Sequence, residues 1–151
     1  MDAVEKRLTH RARLERLQDM LTHMPQVHCP LREYFTDTMY AREVTIPAGT
    51  TVVGAVHKVQ NLMTLSAGRV IIATEDGPLE LEAPHTRIME PGCKNAVSTL
   101  TQAVWTNYYA TTERDPDKLC RLLTEAEPEE LLGHPQNLQL VRSGPAPEGT
   151  P

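Results

Sequence analysis

His57, Asn61, Asn95, Trp105 and Tyr109 are the side chains in this sequence whose types suit recognition of a small polar molecule. They bring an imidazole, two amides, an indole and a phenol. Such groups hydrogen-bond and stack. Alternate residues of a strand share a face. Residues 57, 59 and 61 are therefore expected on one face of one strand, and Trp105, Asn107 and Tyr109 on one face of another. The plainer alternative is that these side chains satisfy one another inside a core, since buried polar groups normally find partners.

No catalytic set accompanies them. The sequence has no GxSxG, no Walker loop, no GxGxxG and no HExxH. Glu33, Glu43, Glu75 and Glu90 offer carboxylates, but no spacing pairs them for acid–base work. Arg42 and Glu43 read as a structural charge pair or a pocket rim. No aspartate lies close to His57 in sequence to form a dyad with it.

The stretch from Gly49 to Gly68, GTTVVGAVHKVQNLMTLSAG, is more specific. It resembles the first motif of the cupin superfamily, G-x5-H-x-H-x3-E-x6-G, with both glycines in place and no gaps. The histidine positions fall on Ala55 and His57 and the glutamate position on Asn61. The segment EPGCKNAVST resembles the second motif, with its turn glycine at Gly92 and its histidine position at Asn95. The wider run YAREVTIPAGTTVVGAVHK is similar to small cupin-like proteins encoded by bacteriophages and their bacterial hosts. Those carry an HKxEH-type run where this chain reads His57-Lys58-Val59-Gln60-Asn61, and a histidine in the last strand where this chain has Tyr109.

The resemblance covers roughly residues 39–111. It implies an all-β fold, a cupin-like jelly-roll barrel, with a degenerate metal motif. A cupin metal needs histidine nitrogens and a carboxylate converging from neighbouring strands. Of the four ligand positions only His57 keeps a suitable donor; Ala55 has none, and Asn61 and Asn95 offer neutral amides. The expectation is a non-catalytic protein without metal or cofactor, binding a small polar ligand such as a nucleotide or a sugar. The viral likeness implies sequestration of a host signal molecule. Two alternatives stay open. One is a metal-dependent cupin enzyme, a dioxygenase or isomerase, with a site rebuilt from His57, His85 and Cys93. The other is a structural or protein-interaction module.

Short β-prone runs between turn signals must position these residues. From Met39 they read MYAREVTI, TTVVGAVH, LMTLS, RVIIAT, PLELEA, TRIM, NAVSTL and QAVWTNYYAT, broken by PAG, AG, EDG and EPG. About eight strands in so short a stretch suggest a sandwich or barrel. Residues 1–25 are expected to hold an amphipathic helix, opened by a capping box of Asp2 and Glu5 and striped by Leu14, Leu17, Leu21 and Met24. That stripe is expected to pack on the barrel or on a second copy, giving a homodimer or higher homo-oligomer. Residues 112–141 are expected to carry short helices, one opening at Asp115-Pro116, and residues 142–151, RSGPAPEGTP, to form a flexible tail.

Bulk properties bound the rest. At 151 residues the chain is expected to be one domain with appendages, and its 40% hydrophobic content allows one core. The net charge of −5 argues against nucleic-acid binding by bulk electrostatics. No run is long and apolar enough for a bilayer, and no membrane partner is expected. Cys29, Cys93 and Cys120 are odd in number and scattered, which fits reduced thiols and a cytoplasmic location.

Overall fold

The computed structural model describes residues 1–128. Nine strands follow a single N-terminal helix: β1 (Leu31–Phe35), β2 (Met39–Ile46), β3 (Thr51–Val53), β4 (Asn61–Ala67), β5 (Arg69–Thr74), β6 (Gly77–Glu82), β7 (His85–Met89), β8 (Ala96–Thr99) and β9 (Ala103–Ala110). Helix α1 spans Ala3–Thr22 and helix α2 spans Pro116–Leu123. The expected helical segment over 112–141 is described only as far as residue 128, and the expected tail at 142–151 lies outside the described residues. No helix among the described residues is long and apolar enough to cross a membrane.

The strands form two antiparallel sheets, in the orders β1-β2-β9-β4-β7 and β3-β8-β5-β6. Strand β2 pairs with β9, β3 with β8, β4 with β7 and β5 with β6. These are the rungs of one long hairpin folded over on itself, which is the jelly roll. The all-β, cupin-like jelly roll with an N-terminal helix expected from the sequence is the fold observed. Alternation drives it: Tyr40, Val44 and Ile46 of β2, Met63 and Leu65 of β4, and Val70 and Ile72 of β5 are buried, while their neighbours in sequence are more exposed. Val44, Ile46, Met63, Leu65, Val70, Ile72, Met89 and Trp105 belong to one core between the sheets.

Gly68 is where the chain leaves one sheet for the other. Its φ is +90°, and a Cβ there would strike the Gln102 carbonyl oxygen and lie 2.8 Å from Ala103 Cα. Only glycine fits such a crossing. Gly49, the other glycine of the motif, also has a positive φ, +70°.

Three features differ from the sequence reading. Strand β1 precedes residue 39 and pairs with β2; its exposed Arg32, Glu33 and Tyr34 give no alternating signal. Strand β3 ends at Val53 rather than running to His57. The backbone of residues 54–60 bonds elsewhere: Gly54 N–H to Asn95 O, His57 N–H to Cys93 O and Lys58 N–H to Leu123 O. Residues 57, 59 and 61 therefore do not share a strand face.

The third difference is how α1 docks. Its capping box is formed as expected. Leu14 is buried and Leu17 and Leu21 half-buried, but Met24 is 54% exposed. Most specific contacts come from polar residues. Lys6 pairs with Asp76 at 3.1 Å, Arg7 with Glu75 at 3.5 Å and Arg11 with Glu125 at 2.7 Å. Lys94 Nζ donates to Gln18 Oε1 at 2.8 Å. Residues 7, 11, 14 and 18 follow helical spacing, so one mostly polar face with Leu14 in it lies against the barrel.

Candidate functional site

His57 is placed by loops. Its N–H donates to Cys93 O at 2.9 Å and its carbonyl accepts from Gly92 N–H at 2.7 Å. It also bridges to Thr124, just beyond α2. The imidazole Nδ1 lies 3.3 Å from the Tyr109 hydroxyl. Behind it, Tyr109 stacks on Tyr40 with ring centroids 5.9 Å apart, and Tyr40 on Phe35 at 5.1 Å. Leu119 and Leu123 of α2 pack into the same cluster, so α2 fixes the pair from outside the main core.

Burial holds the His57 pKa below that of a free imidazole, and no carboxylate opposes the effect. Burial also pushes the Tyr109 phenol up to about 12. At neutral pH both are uncharged. They form a hydrogen-bonding pair, without the carboxylate that would make His57 a stronger base.

A second polar chain runs beside them. Trp105 Nε1 donates to Asn107 Oδ1 at 3.0 Å, Asn107 Nδ2 to Asn61 Oδ1 at 2.9 Å, and Asn61 Nδ2 to Val59 O at 3.2 Å. An indole N–H can only donate and a backbone carbonyl can only accept. The two ends therefore fix which way both amides face.

Between these groups lies a cavity of about 310 Å³. Its polar lining includes Arg42, His57, Asn95, Trp105, Asn107 and Tyr109, interleaved with the apolar Val44, Ile46, Val52 and Val97. Of the residues expected from sequence, His57, Asn95, Trp105 and Tyr109 line the cavity. Asn61 does not. It is 5% exposed and stands behind Asn107, which it orients. Asn95 accepts a weak bond from Cys93 Sγ at 3.6 Å on its Oδ1, which leaves its amide N–H groups for a guest.

Arg42 and Asn107 complete the wall. They face each other in the β2–β9 register, Arg42 opposite Asn107 and Glu43 opposite Thr106. Adjacent strand residues point to opposite faces. Arg42 thus lines the cavity, in line with the second of the two roles the sequence offered for it, while Glu43 points away.

The four cupin ligand positions do not fit a metal. Ala55 lines the cavity with a methyl group, His57 is bonded to Tyr109, Asn61 to Asn107, and Asn95 offers an amide. Among the described residues no group of three His, Cys, Asp or Glu side chains could hold a metal ion. The alternative set of His57, His85 and Cys93 does not gather: His85 pairs with Leu65, four residues along β4 from Asn61.

The mouth of the cavity is covered by α1, through Arg11, Glu15 and Gln18, and by Thr124, Glu125 and Ala126. The Arg11–Glu125 pair spans the two covers.

No protein-family model and no curated protein matches this chain. Solved structures do resemble it. A cupin superfamily protein from Desulfitobacterium hafniense aligns with 10% identity and a TM-score of 0.49, over 59% of this chain and 83% of its own. The Clostridium difficile EutQ protein aligns with 11% identity and a TM-score of 0.46, over 57% of this chain and 70% of its own. An acetylacetone dioxygenase from Acinetobacter johnsonii aligns with 12% identity and a TM-score of 0.46, over 54% of this chain and 59% of its own. At such identities no activity is carried across, and the fold assignment rests on the strand order.

Proposed function

We propose that this barrel is a binding protein for a small, polar, uncharged or weakly charged molecule, of the size of a monosaccharide or a nucleobase. The observation that carries the reading is the cavity itself, lined by valines and an isoleucine together with an imidazole, amides, an indole and a phenol. That mixture suits a flat or ring-shaped guest, held by stacking and hydrogen bonds. Its volume of about 310 Å³ stands at the lower end of small-molecule sites, about 300–1,000 Å³. A single ring fits better than a dinucleotide.

The binding reading is favoured over catalysis by the state of the side chains. His57 and Tyr109 are neutral and bonded to each other, and Asn61 serves to aim Asn107. A binder of this kind acts by holding its ligand, through sequestration or sensing. Native mass spectrometry on protein taken directly from expressing cells tests it. The expected result is a small added mass, lost in a Trp105→Leu variant that still folds. An empty spectrum, with no melting shift across a panel of sugars, nucleosides and bases, would refute the reading.

A further inference from the structure

A second cavity, of about 290 Å³, lies on the other side of Trp105 and Asn95, which line both. Arg7 and His10 of α1, Glu75 of the β5–β6 turn, Arg87 of β7 and Cys93 of the β7–β8 loop are among the residues that surround it. Arg87 reaches it from inside the barrel. In the β4–β7 register it stands opposite Met63, which is wholly buried, whereas its neighbour Ile88 is 62% exposed. Arg87 Nη1 is shut off from solvent and has no hydrogen-bond partner among the described residues.

A guanidinium nitrogen buried without a partner is costly, more so than a neutral donor. The carboxylates around the cavity do not satisfy it. Glu75 is paired with Arg7 at 3.5 Å and Asp76 with Lys6 at 3.1 Å. Both oxygens of Glu90 accept from Gln60 Nε2, at 3.0 and 3.2 Å. The lining is rich in cations, with Arg7, Arg11, Arg87 and Lys94 all contributing. A planar guanidinium matches two oxygens of a carboxylate or phosphate at once.

We propose that this second cavity binds a small oxyanion, a carboxylate or a phosphate, with Arg87 as its anchor and Arg7 facing it from α1. His57 and Tyr109 take no part. Those two line only the first cavity and Arg87 only the second, so variants at these positions decide the two readings separately.

The test is an NMR titration of the full chain, following the arginine Nε–Hε signals while millimolar inorganic phosphate or malonate replaces chloride at constant ionic strength. One saturable shift is expected, in the signal that disappears in Arg87→Lys. A response to phosphate alone or to malonate alone says which oxyanion the site takes, and either supports it. Arg87→Met is expected to weaken binding by about 10- to 100-fold, the loss of charge-assisted hydrogen bonds. It should melt no lower than wild type without the anion, because it removes an unmet donor. No saturable shift, or the same shift in chloride, overturns the proposal, as does unchanged binding in Arg87→Met. If Arg87→Met does not fold, the wild-type titration and Arg87→Lys decide.

Discussion

The Tyr109 hydroxyl and His57 Nδ1 stand 3.3 Å apart, one from the last barrel strand and the other from a loop held by α2. The contact joins residues 52 apart in sequence within the wall of the first cavity. Tyr109→Phe removes one hydrogen bond and leaves the ring stack intact. Denaturant unfolding should show a loss of about 0.5–1.5 kcal/mol. Binding in the first cavity should weaken by more than tenfold only if the ligand takes the hydroxyl for itself, and isothermal titration of the two proteins separates these roles.

His57 also sets an acid limit. Its folded pKa is lowered by burial, so between that value and the ordinary value, about 6.5, the unfolded chain binds more protons than the folded one. Its stabilising contribution is thus present above the unfolded pKa and is lost as pH falls through the folded value. Melting temperature should decline on acidification below about pH 6.5, and the decline should be shallower in His57→Gln. Parallel curves for the two proteins would rule the residue out as its source.

The amide chain can be broken at its middle. Asn61→Leu keeps bulk but leaves Asn107 Nδ2 without its acceptor. The expected cost is about 1–3 kcal/mol. Near-ultraviolet circular dichroism of the single tryptophan, Trp105, should change as well, because its N–H partner Asn107 is freed to turn. A variant with wild-type stability and spectrum would show that Asn61 does not position Asn107.

Gly68→Ala should be among the most damaging single changes in the barrel. The added methyl meets backbone at Gln102 and Ala103, which no side-chain motion can relieve, and the φ of +90° is itself strained for alanine. A loss above about 2 kcal/mol is expected by urea unfolding, and a smaller one for Gly77→Ala, which meets nothing within 4 Å and bears only the strain of its own φ, +113°.

Purified protein should hold no stoichiometric transition metal. The donor set of one bonded imidazole and two amides is poorly matched to such ions. Elemental analysis giving about one iron, manganese, nickel or zinc per chain, lost in His57→Ala, would contradict this.

The jelly roll was legible in the sequence because its signals are local. Turn glycines at Gly49 and Gly68 and alternating Val, Ile and Leu sit within a few residues of the strands they define. Two of the cavity residues were legible for the same reason, since Trp105 and Tyr109 follow strand alternation. His57 reaches the cavity by a different route from the one expected. Its backbone partners, Gly92, Cys93 and Thr124, are 35 or more residues away in sequence, and no local pattern announces them. The roles of Asn61 and Arg87 were hidden in the same way: whether an amide or a guanidinium finds a partner depends on side chains contributed by other strands.

The docking of α1 through ion pairs has a consequence for kinetics. Arg11 and Glu125 are 39% and 44% exposed, and pairs of that kind hold by no more than about 1 kcal/mol and yield to salt. Salt is therefore expected to loosen this end of α1, while Leu14 stays packed against the barrel. Substitutions at Arg11 or Glu125 are expected to change both how fast a molecule enters the cavity and how well it is held, because both residues line it. Access and selectivity would then be tied to the same residues, and neither could drift without the other.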